Sequence, residues 1–438
     1  MSESVLIQPA AGPIVGRIRP PGSKSITNRA LVCAAVAEGT STLRGALDSD
    51  DTRVMVEALR QLGLGVQHDA AERTISVVGC GGMFHVSSAN LFIGNSGTTV
   101  RFLTSLLAAA GRGRFRLHGT PRMHERPIQD LIDALAQAGV KIASERGSGC
   151  PPVTVEAAGL PGGRVTVRGD VSSQFLSGLL MAAPMAARPL CVVVADTLVS
   201  QPYVTMTLAV MREFGIDCDA NDLREFTIPV GKYRGRAYDI EPDASAASYF
   251  FAAAAVTGGR VTVEGLTRRA LQGDVGFVDV LAEMGCQVEE TADSVTVVGP
   301  KQLRGVEVDM NAVSDTVQTL APVALFAAGP TVVRGVGHIR HKETDRIRAV
   351  AVELRKLGAT VDELDDGLRI VPPSPTSEGG TGLRPAAIDT YDDHRMAMSF
   401  AIAGLRIPGV EIRDPRCTHK TYPEFFADLG RLTGRKYG

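Results

Sequence analysis

One pattern repeats six times along the 438 residues of this chain. Each copy opens with a helix rich in small apolar residues, passes a turn into a β-rich strand, and continues with a second helix and a further strand. The strands after the first helices end at Gly45, Gly119, Ala195, Gly265, Gly335 and Asp414. These ends are 74, 76, 70, 70 and 79 residues apart. Such regular spacing exceeds the simple alternation of helix and strand in α/β proteins.

The helices of the repeat carry their own signals. Five second helices end in the related motifs LRQLGLGV, LAQAGVKI, MREFGIDC, LAEMGCQV and LRKLGATV. The glycine in each motif is expected just after the helix, in a left-handed backbone conformation. The first helices are predicted to begin at Asn28, Thr98, Ser173, Ser245, Thr316 and His394.

Six copies divide most simply into three and three. Pro-rich joints at Pro20-Pro21 and Glu241-Pro242 flank the first three copies. We therefore predict one domain over 22–240 and a discontinuous one combining 1–21 with 241–438. A chain that crosses twice between two domains leaves a cleft, where ligands often bind, so we expect the active site there.

Composition excludes several classes of protein. The chain has 46 Lys and Arg against 48 Asp and Glu, a formal net charge of −2, which argues against a nucleic-acid-binding protein. Its seven cysteines are scattered without a CxxC motif, which argues against a disulfide framework or a cysteine zinc site and favours a reducing compartment. The start MSESVLIQPAAG has no basic region, and no uncharged run suits a membrane span. We predict a soluble cytoplasmic protein without a membrane partner.

Polar residues open every first helix. Ordinary helix capping explains any one of these starts taken alone. Several helix N-termini around one cleft would suit a small polyanion, because each offers free N–H groups and a partial positive charge. The starts are Ser23-Lys24-Ser25, Asn95-Ser96-Gly97-Thr98, Ser172-Ser173-Gln174, Asp243-Ala244-Ser245, Ser314-Asp315-Thr316 and Asp392-Asp393-His394-Arg395.

Basic residues accompany these starts. Lys342 and Arg346 are four residues apart and would share one face if their segment were helical. Asp315 and Glu343 lie among the cations, where a carboxylate can exchange protons with a substrate. The alternatives are an N-cap for Asp315 and an exposed ion pair for Glu343. The other candidate cations are Lys24, Arg29, Arg122, Arg395 and Lys420.

Nine segments together resemble the signature segments of the 5-enolpyruvylshikimate-3-phosphate (EPSP) synthase family. They run in the family's order from near residue 20 to near residue 426. The segments are PGSKSITNRA (21–30), GNSGTTVRF (94–102), PRMHERPI (121–128), VSSQFLSGLLM (171–181), LVSQPY (198–203), DASAASYFFAAA (243–254), KETDRI (342–347), YDDHRMAM (391–398) and CTHKTYPEFF (417–426).

The resemblance implies an α/β (α+β) fold, a two-domain inside-out barrel with three βαβαββ-type units in each domain. It also implies transfer of the enolpyruvyl group of phosphoenolpyruvate to the 5-hydroxyl of shikimate 3-phosphate, in the shikimate pathway to chorismate and aromatic amino acids. No metal or organic cofactor is expected, and we expect a monomer.

Residue roles follow from the same resemblance. It implies that Asp315 is the base on the 5-hydroxyl, and that Glu343, with Lys24 nearby, carries the proton of the methylene carbon. The residues implied for shikimate 3-phosphate are Lys24, Ser25, Arg29, Ser172, Ser173, Gln174, Ser200, Tyr203, Asp315, His338 and Lys342. Those implied for phosphoenolpyruvate are Lys24, Gly97, Arg122, Gln174, Arg346, Arg395 and Lys420.

The chain departs from the family pattern at three positions. His338 stands where an Asn is usual, Phe102 replaces a Pro, and Ser96 replaces an Ala. Gly97 is retained and leaves room beside the phosphoenolpyruvate site, so we expect glyphosate to compete with phosphoenolpyruvate.

Three other readings stay open from the sequence. UDP-N-acetylglucosamine enolpyruvyl transferases share the fold but generally have a Cys in the loop corresponding to 112–127, which has none here. RNA 3′-terminal phosphate cyclases use related units but lack these motifs. A non-catalytic ligand-binding relative would plausibly have lost Asp315, Glu343, Lys24 or Arg395.

Overall fold

A computed structural model of the chain describes residues 4–374 and 380–437. The chain divides into two compact units, one formed by Met1–Pro21 with Pro242–Gly438 and the other by Gly22–Glu241. The α-helices of the described residues are α1 (Lys24–Val36), α2 (Asp50–Gln61), α3 (Gly97–Ala110), α4 (Gln129–Gln137), α5 (Ser173–Ala182), α6 (Gln201–Glu213), α7 (Ala244–Thr257), α8 (Phe277–Glu283), α9 (Val317–Ala324), α10 (Arg346–Lys356), α11 (His394–Gly404) and α12 (Phe425–Thr433).

The unit Gly22–Glu241 contains three four-stranded sheets of the same design. In each sheet the first two strands are parallel and are joined through a first helix, except that the first strand of one sheet is supplied by the end of the segment. The last two strands form an antiparallel pair after the second helix. In sheet order the strands are Ala237–Asp239, Thr40–Arg44, Thr74–Val78 and Gly65–Asp69; Ser88–Phe92, Gly113–His118, Val153–Ala157 and Lys141–Ser144; and Gly163–Val167, Leu190–Val194, Glu225–Ile228 and Asp219–Asn221.

Two sheets of the other unit repeat this design, one of them with help from the N-terminal segment. The sixth predicted copy departs from it, because its sheet has three strands and no strand of the described residues follows its second helix, α12. Val15–Ile18 pairs parallel with Arg260–Glu264, and Ser4–Leu6 pairs antiparallel with Glu411–Arg413. Two strands near the start of the chain thus complete sheets built by residues more than 240 positions later. In sheet order the strands are Val15–Ile18, Arg260–Glu264, Ser294–Val298 and Gln287–Glu290; Glu307–Asp309, Thr331–Arg334, Gly367–Val371 and Thr360–Leu364; Ser4–Leu6, Glu411–Arg413 and Ala387–Ile388; and the pair Leu303–Arg304 with Ala327–Ala328.

The glycines predicted to end five second helices all have the left-handed conformation. The φ angles are 88° at Gly63, 85° at Gly139, 90° at Gly215, 105° at Gly285 and 105° at Gly358. A side chain is disfavoured at such angles, so glycine lets the chain leave the helix and turn back into the next strand. This part of the repeat prediction is confirmed.

The first helices form the core of each unit. Every residue of α3 and of α11 is buried, as are all residues of α7 except its last. Their many alanines permit helices and sheets to approach closely, and a helix apolar on all sides is expected to be enclosed. The predicted starts at Ser173 and His394 are confirmed. The other starts were wrong by one to four residues: α1, α3 and α7 begin earlier, at Lys24, Gly97 and Ala244, and α9 begins at Val317.

No helix formed by the described residues combines the length and apolar character needed to cross a bilayer.

Candidate active site

Asp315 lies at the centre of a buried charge cluster in the discontinuous unit. It belongs to the 3-10 helix Asn311–Thr316, which precedes α9. Its Oδ2 accepts from Arg395 Nη2 at 2.7 Å, and its Oδ1 accepts from Arg346 Nη1 at 3.1 Å and from Lys342 Nζ. The N-cap position of α9 is Thr316 rather than Asp315, so the capping alternative does not describe Asp315. Burial would raise the pKa of this carboxyl, but the charges of Arg395, Lys342 and Arg346 hold it well below its usual range.

Arg346 opens α10 and is almost fully buried among three carboxylates. It donates through Nε to Asp393 Oδ2 at 2.8 Å and through Nη2 to Glu343 Oε2 at 2.8 Å, in addition to its bond with Asp315. Burial would lower the pKa of Arg346, but the charges of Asp393, Glu343 and Asp315 raise it above its ordinary value. One guanidinium therefore links both predicted catalytic acids.

The segment between Lys342 and Arg346 is not helical, which corrects the condition under which the two would share a helix face. A 3-10 helix ends at His341 and α10 begins at Arg346. The two cations nevertheless meet, because both bind Asp315. Burial lowers the pKa of Lys342, and its ion pair with Asp315 opposes that shift.

Glu343 is buried, with 7% of its side chain exposed, so the exposed ion-pair alternative is wrong. Its Oε1 lies 3.8 Å from Lys420 Nζ, and its Oε2 accepts from Arg346. The four cations Lys342, Arg346, Arg395 and Lys420 face the three carboxylates Asp315, Glu343 and Asp393, which leaves the cluster with a net charge of +1. Such a cluster suits an anionic ligand.

His338 stands beside this cluster and is buried. Burial, followed by the charge of Lys342, lowers the pKa of His338 to about 3. The imidazole is therefore neutral at neutral pH and can offer a ligand a hydrogen bond but no charge.

In the unit Gly22–Glu241, Lys24 is the first residue of α1. The hydroxyl of Ser23 caps this helix by accepting from Ile26 N at 3.4 Å. Lys24 Nζ lies 3.5 Å from Asp51 Oδ2, in the first turn of α2. A lysine at a helix N-terminus adds its charge to that of the free N–H groups, as an anion-binding site requires.

Arg29 lies one turn further along α1 and is 1% exposed. It donates to Thr207 Oγ1 at 2.7 Å, to Ser177 Oγ at 3.4 Å, and to the carbonyls of Ser25 at 2.9 Å and Tyr203 at 3.2 Å. Burial lowers the pKa of Arg29 to about 10. All four of these acceptors are neutral, and they connect α1 with α5 and α6.

Gly97 begins α3 beside two arginines that the sequence did not single out. A Cβ at Gly97 would lie 2.5 Å from Arg126 Nη2 and 3.2 Å from Arg101 Nη1. Arg126 donates to the carbonyl of Asn95 at 2.8 Å, and Arg101 donates to Gln174 Oε1 at 2.7 Å. Both arginines are 4% exposed. In a sequence both look like ordinary surface charges, and the motif PRMHERP does not show which of its arginines, Arg122 or Arg126, lies beside Gly97.

Arg122 has a different environment from that expected of a ligand-binding arginine. It pairs with Glu125 Oε2 at 2.7 Å, and about a third of its side chain is exposed. The structure brings Arg126, rather than Arg122, to the side of Gly97. This favours Arg126 for the role that the resemblance gave to Arg122.

The remaining predicted residues of this unit lie at the starts of α5 and α6. Ser172 caps α5, accepting from Gln174 N at 3.3 Å, and Ser173 is its first residue. Ser200 precedes α6 with a φ of 52°, a conformation uncommon for residues other than glycine. Tyr203 lies in the first turn of α6, its ring centroid 6.0 Å from the Arg29 guanidinium.

Two of the three departures from the family pattern have a local explanation. Ser96 is buried and caps α3, accepting from Thr99 N at 3.4 Å, which an alanine would not do. The ring of Phe102 packs against the Arg29 guanidinium, with the charge centre 5.2 Å from the ring centroid.

Among the described residues, no group of three or more His, Cys, Asp and Glu side chains could hold a metal ion.

Comparison with known proteins gives consistent results. The profile of the family described as EPSP synthase (3-phosphoshikimate 1-carboxyvinyltransferase) matches residues 9–429. A 3-phosphoshikimate 1-carboxyvinyltransferase of Trichormus variabilis is 48% identical over 99% of this chain and 100% of its own length. The chloroplastic enzyme of that name from Arabidopsis thaliana is 46% identical over 99% of this chain and 85% of its own length.

Solved structures agree with this fold. The EPSP synthase of Acinetobacter baumannii superposes with a TM-score of 0.82 at 26% identity and 99% coverage of both chains. The enolpyruvyl transferase NikO of Streptomyces tendae superposes with a TM-score of 0.76 at 21% identity, over 100% of this chain and 99% of its own, which supports the fold alone.

Proposed function

The chain belongs to the EPSP synthase family, and from that membership we propose that it is a 3-phosphoshikimate 1-carboxyvinyltransferase. It transfers the enolpyruvyl group of phosphoenolpyruvate to the 5-hydroxyl of shikimate 3-phosphate and releases phosphate. The hydroxyl oxygen adds to C2 of phosphoenolpyruvate while C3 gains a proton. The tetrahedral intermediate then loses phosphate and one methyl proton, which gives the enol ether.

The observation that carries this proposal is the cluster around Asp315 and Glu343. The reaction needs a base for a hydroxyl, a group that gives and retakes a carbon-bound proton, and cations for a departing phosphate. Two carboxylates joined by the buried Arg346, with Lys342, Arg395 and Lys420 against them, provide all three kinds of group.

Asp315 becomes a better base as the substrates bind. Its low pKa results from three cations that point at its two oxygens. The phosphate and carboxylate groups of the substrates compete for those cations. Each cation that turns to a substrate anion raises the pKa of Asp315, so the carboxylate gains proton affinity when a hydroxyl is beside it.

Glu343 serves the carbon-bound proton in both directions. It delivers a proton to C3 during addition and removes one during elimination, which leaves its protonation state unchanged over the cycle. Its bond to Arg346 and its approach to Lys420 stabilise the ionised form between these steps. The family resemblance also assigns Lys24 to this proton transfer.

The proposed substrate-binding residues are those that the family resemblance implies, with Arg126 in place of Arg122. We propose that Arg126 holds the phosphoenolpyruvate anion beside Gly97, with Arg101 fixing Gln174 next to it. Arg29 directs Nε and Nη2 to acceptors within the protein, whereas Nη1 makes one bond, to the Ser25 carbonyl. The proposed groups for shikimate 3-phosphate are Lys24, Ser25, Arg29, Ser172, Ser173, Gln174, Ser200, Tyr203, Asp315, His338 and Lys342. The proposed groups for phosphoenolpyruvate are Lys24, Gly97, Arg126, Gln174, Arg346, Arg395 and Lys420.

The decisive experiment measures phosphate release from phosphoenolpyruvate at neutral pH. We expect release with shikimate 3-phosphate and none with UDP-N-acetylglucosamine. Release that depends on the nucleotide sugar would replace the proposed acceptor, and no release with either would favour a non-catalytic relative.

We also propose a cytoplasmic monomer. The seven unpaired cysteines are compatible with a reducing compartment. Light scattering during gel filtration and fractionation of the source cells test these two points.

A further inference from the structure

The loop that leads through Asp393 into α11, just before Arg395, contains a strained turn. Tyr391 and Asp392 are consecutive residues with φ angles of 56° and 54°. Residues with side chains rarely adopt this conformation, and they hold it only where surrounding contacts impose it. The contacts that impose it here come largely from one carboxylate, that of Glu353.

Glu353 lies on α10 and is fully buried. Its Oε1 accepts from the Tyr391 hydroxyl at 2.6 Å, and its Oε2 accepts from Asp389 N at 3.1 Å. Lys356 Nζ lies 2.7 Å from Glu353 Oε2 and donates to Asp389 Oδ2 at 2.7 Å. The carboxylate thus holds the loop through a side chain and through the backbone, and Lys356 compensates its charge.

The same helix holds the other end of this loop. Arg346 and Glu353 are seven residues apart, two turns of α10, and therefore lie on one face. Arg346 binds Asp393, whose Oδ1 also accepts from Arg395 N at 2.9 Å and so caps α11. One face of α10 therefore holds the loop on both sides of its strained turn. That turn lies immediately before Asp393 and Arg395.

We propose that Glu353, through Tyr391, is a positioning residue that aims the Arg395 guanidinium at the phosphoenolpyruvate anion. Neither side chain touches the substrate. This inference rests on the proposed function and deepens it, because it explains how one of the proposed anion-binding groups is held in place. If the grip of Glu353 is lost, the turn relaxes and Arg395 becomes mobile.

The main test is Tyr391→Phe, which removes one hydroxyl from a side chain that is 40% exposed and leaves the core intact. We expect the KM for phosphoenolpyruvate to rise about fivefold, from loss of one hydrogen bond to a charged group, with the KM for shikimate 3-phosphate and kcat changed less than about twofold. Tyr437→Phe is the matched control, since its hydroxyl donates to Gln8 O instead.

A double-mutant cycle separates positioning from a merely structural role. In an Arg395→Lys background, Tyr391→Phe should raise the KM for phosphoenolpyruvate less than about 1.5-fold, because the guanidinium that it positions is gone. Equal effects in the two backgrounds, or no effect in the wild-type background, would overturn the proposal.

A second variant tests Glu353 itself. Glu353→Gln should show the same selective rise in the KM for phosphoenolpyruvate. Glu363→Gln should not, although it also removes the ion-pair partner of a residue of α10, in this case Arg355. If Glu353→Gln does not fold, the double-mutant cycle of Tyr391→Phe and Arg395→Lys still tests the proposal. A wild-type enzyme that releases no phosphate with shikimate 3-phosphate contradicts the proposed function, whereas an active enzyme with an unaltered Tyr391→Phe variant contradicts only this inference.

Discussion

Arg346 donates to Asp315, Glu343 and Asp393 at once, and this sharing sets the properties of the predicted catalytic residues. The surrounding carboxylates keep the buried Arg346 guanidinium charged, and its charge helps to hold the pKa of Asp315 well below its usual range. Removing one member leaves the others uncompensated in a buried place, which is costly. Function and stability are therefore coupled at these positions.

Asp315→Ala and Glu343→Gln should each lower kcat by about 10²- to 10⁴-fold, because each removes a group that transfers a proton. Steady-state kinetics measures this loss, on variants whose cooperative melting transition shows that they are folded. Glu363→Gln, an acid at the surface of the same unit, should keep full turnover. Near-normal turnover in either site variant would refute the role assigned to that residue.

His338 should make the protein sensitive to acid. Its pKa is about 3 when folded, against an ordinary 6.5, so between these values the unfolded chain binds more protons. The free energy of unfolding should fall as pH drops from about 6.5, by at most about 1.4 kcal/mol per pH unit from this group. In urea unfolding at several pH values, the free energy of unfolding of His338→Asn should fall less steeply as the pH drops than that of the wild type. The variant His85→Asn, at an exposed position, should follow the wild type. Identical slopes for His338→Asn and wild type would contradict this explanation.

Gly97→Ala should weaken binding of phosphoenolpyruvate. The new Cβ would meet Arg126 at 2.5 Å and force that guanidinium to move. We expect the KM for phosphoenolpyruvate to rise about tenfold, as loss of a charged hydrogen bond would produce. Gly65→Ala, where the nearest contact is an ordinary 3.5 Å, is the control.

The same site should bind glyphosate in competition with phosphoenolpyruvate, and Gly97→Ala should weaken that inhibition. Initial rates at several concentrations of both compounds test this prediction. Undiminished wild-type activity at high glyphosate and low phosphoenolpyruvate would contradict it.

At the scale of elements, the helix-strand-helix repeat could be read from the sequence because local chemistry determines it. The glycines after α2, α4, α6, α8 and α10 signal helix ends through backbone sterics alone. The partners of Arg126 and Glu353 could not be read this way. They depend on which residues the fold brings beside Gly97 and Tyr391, and the sequence separations of 29 and 38 residues carry no local signal.

Helix boundaries show the same limit. Asp315 was placed at a helix start by its neighbours, but the chain forms a 3-10 helix there before α9 begins. The carboxylate that local rules assign to capping is instead bound by three distant cations.

Gly285→Ala tests the cost of a helix end. The φ of Gly285 is 105°, and no atom lies closer than 3.7 Å to a new Cβ, so only backbone strain opposes the substitution. We expect a loss of about 1 kcal/mol in the free energy of unfolding. Gly12→Ala, in the same unit with open space and no unusual φ, should change it little. Equal melting curves for the two variants would contradict the strain argument.

At the scale of the whole molecule, the unit Gly22–Glu241 builds all three of its sheets from its own strands. The discontinuous unit, in contrast, needs Ser4–Leu6 and Val15–Ile18 to complete two sheets. Its core also encloses Ile7, which lies against Gly404 of α11. The two units thus depend on chain continuity in different ways.

Residues 22–241 expressed alone should therefore fold. We expect a cooperative unfolding transition and dispersed amide resonances, because every strand of its three sheets lies within 22–241. Residues 242–438 alone, without the two N-terminal strands, serve as the comparison and should be less stable. A segment 22–241 that shows no cooperative transition would refute this expectation.

The places where the chain passes between its units have a further consequence. Ser23 N donates to Glu241 O at 2.8 Å within one unit, and Asp243 N donates to Pro21 O at 2.8 Å within the other. In each unit, the two points at which the chain leaves for the other unit therefore lie side by side. In the terms of gene rearrangement, residues 22–241 form a cassette: splicing such a segment into a host between neighbouring ends adds almost no loop-closure entropy to the host. A protein of three repeats can acquire three more in this way without rebuilding its own sheets.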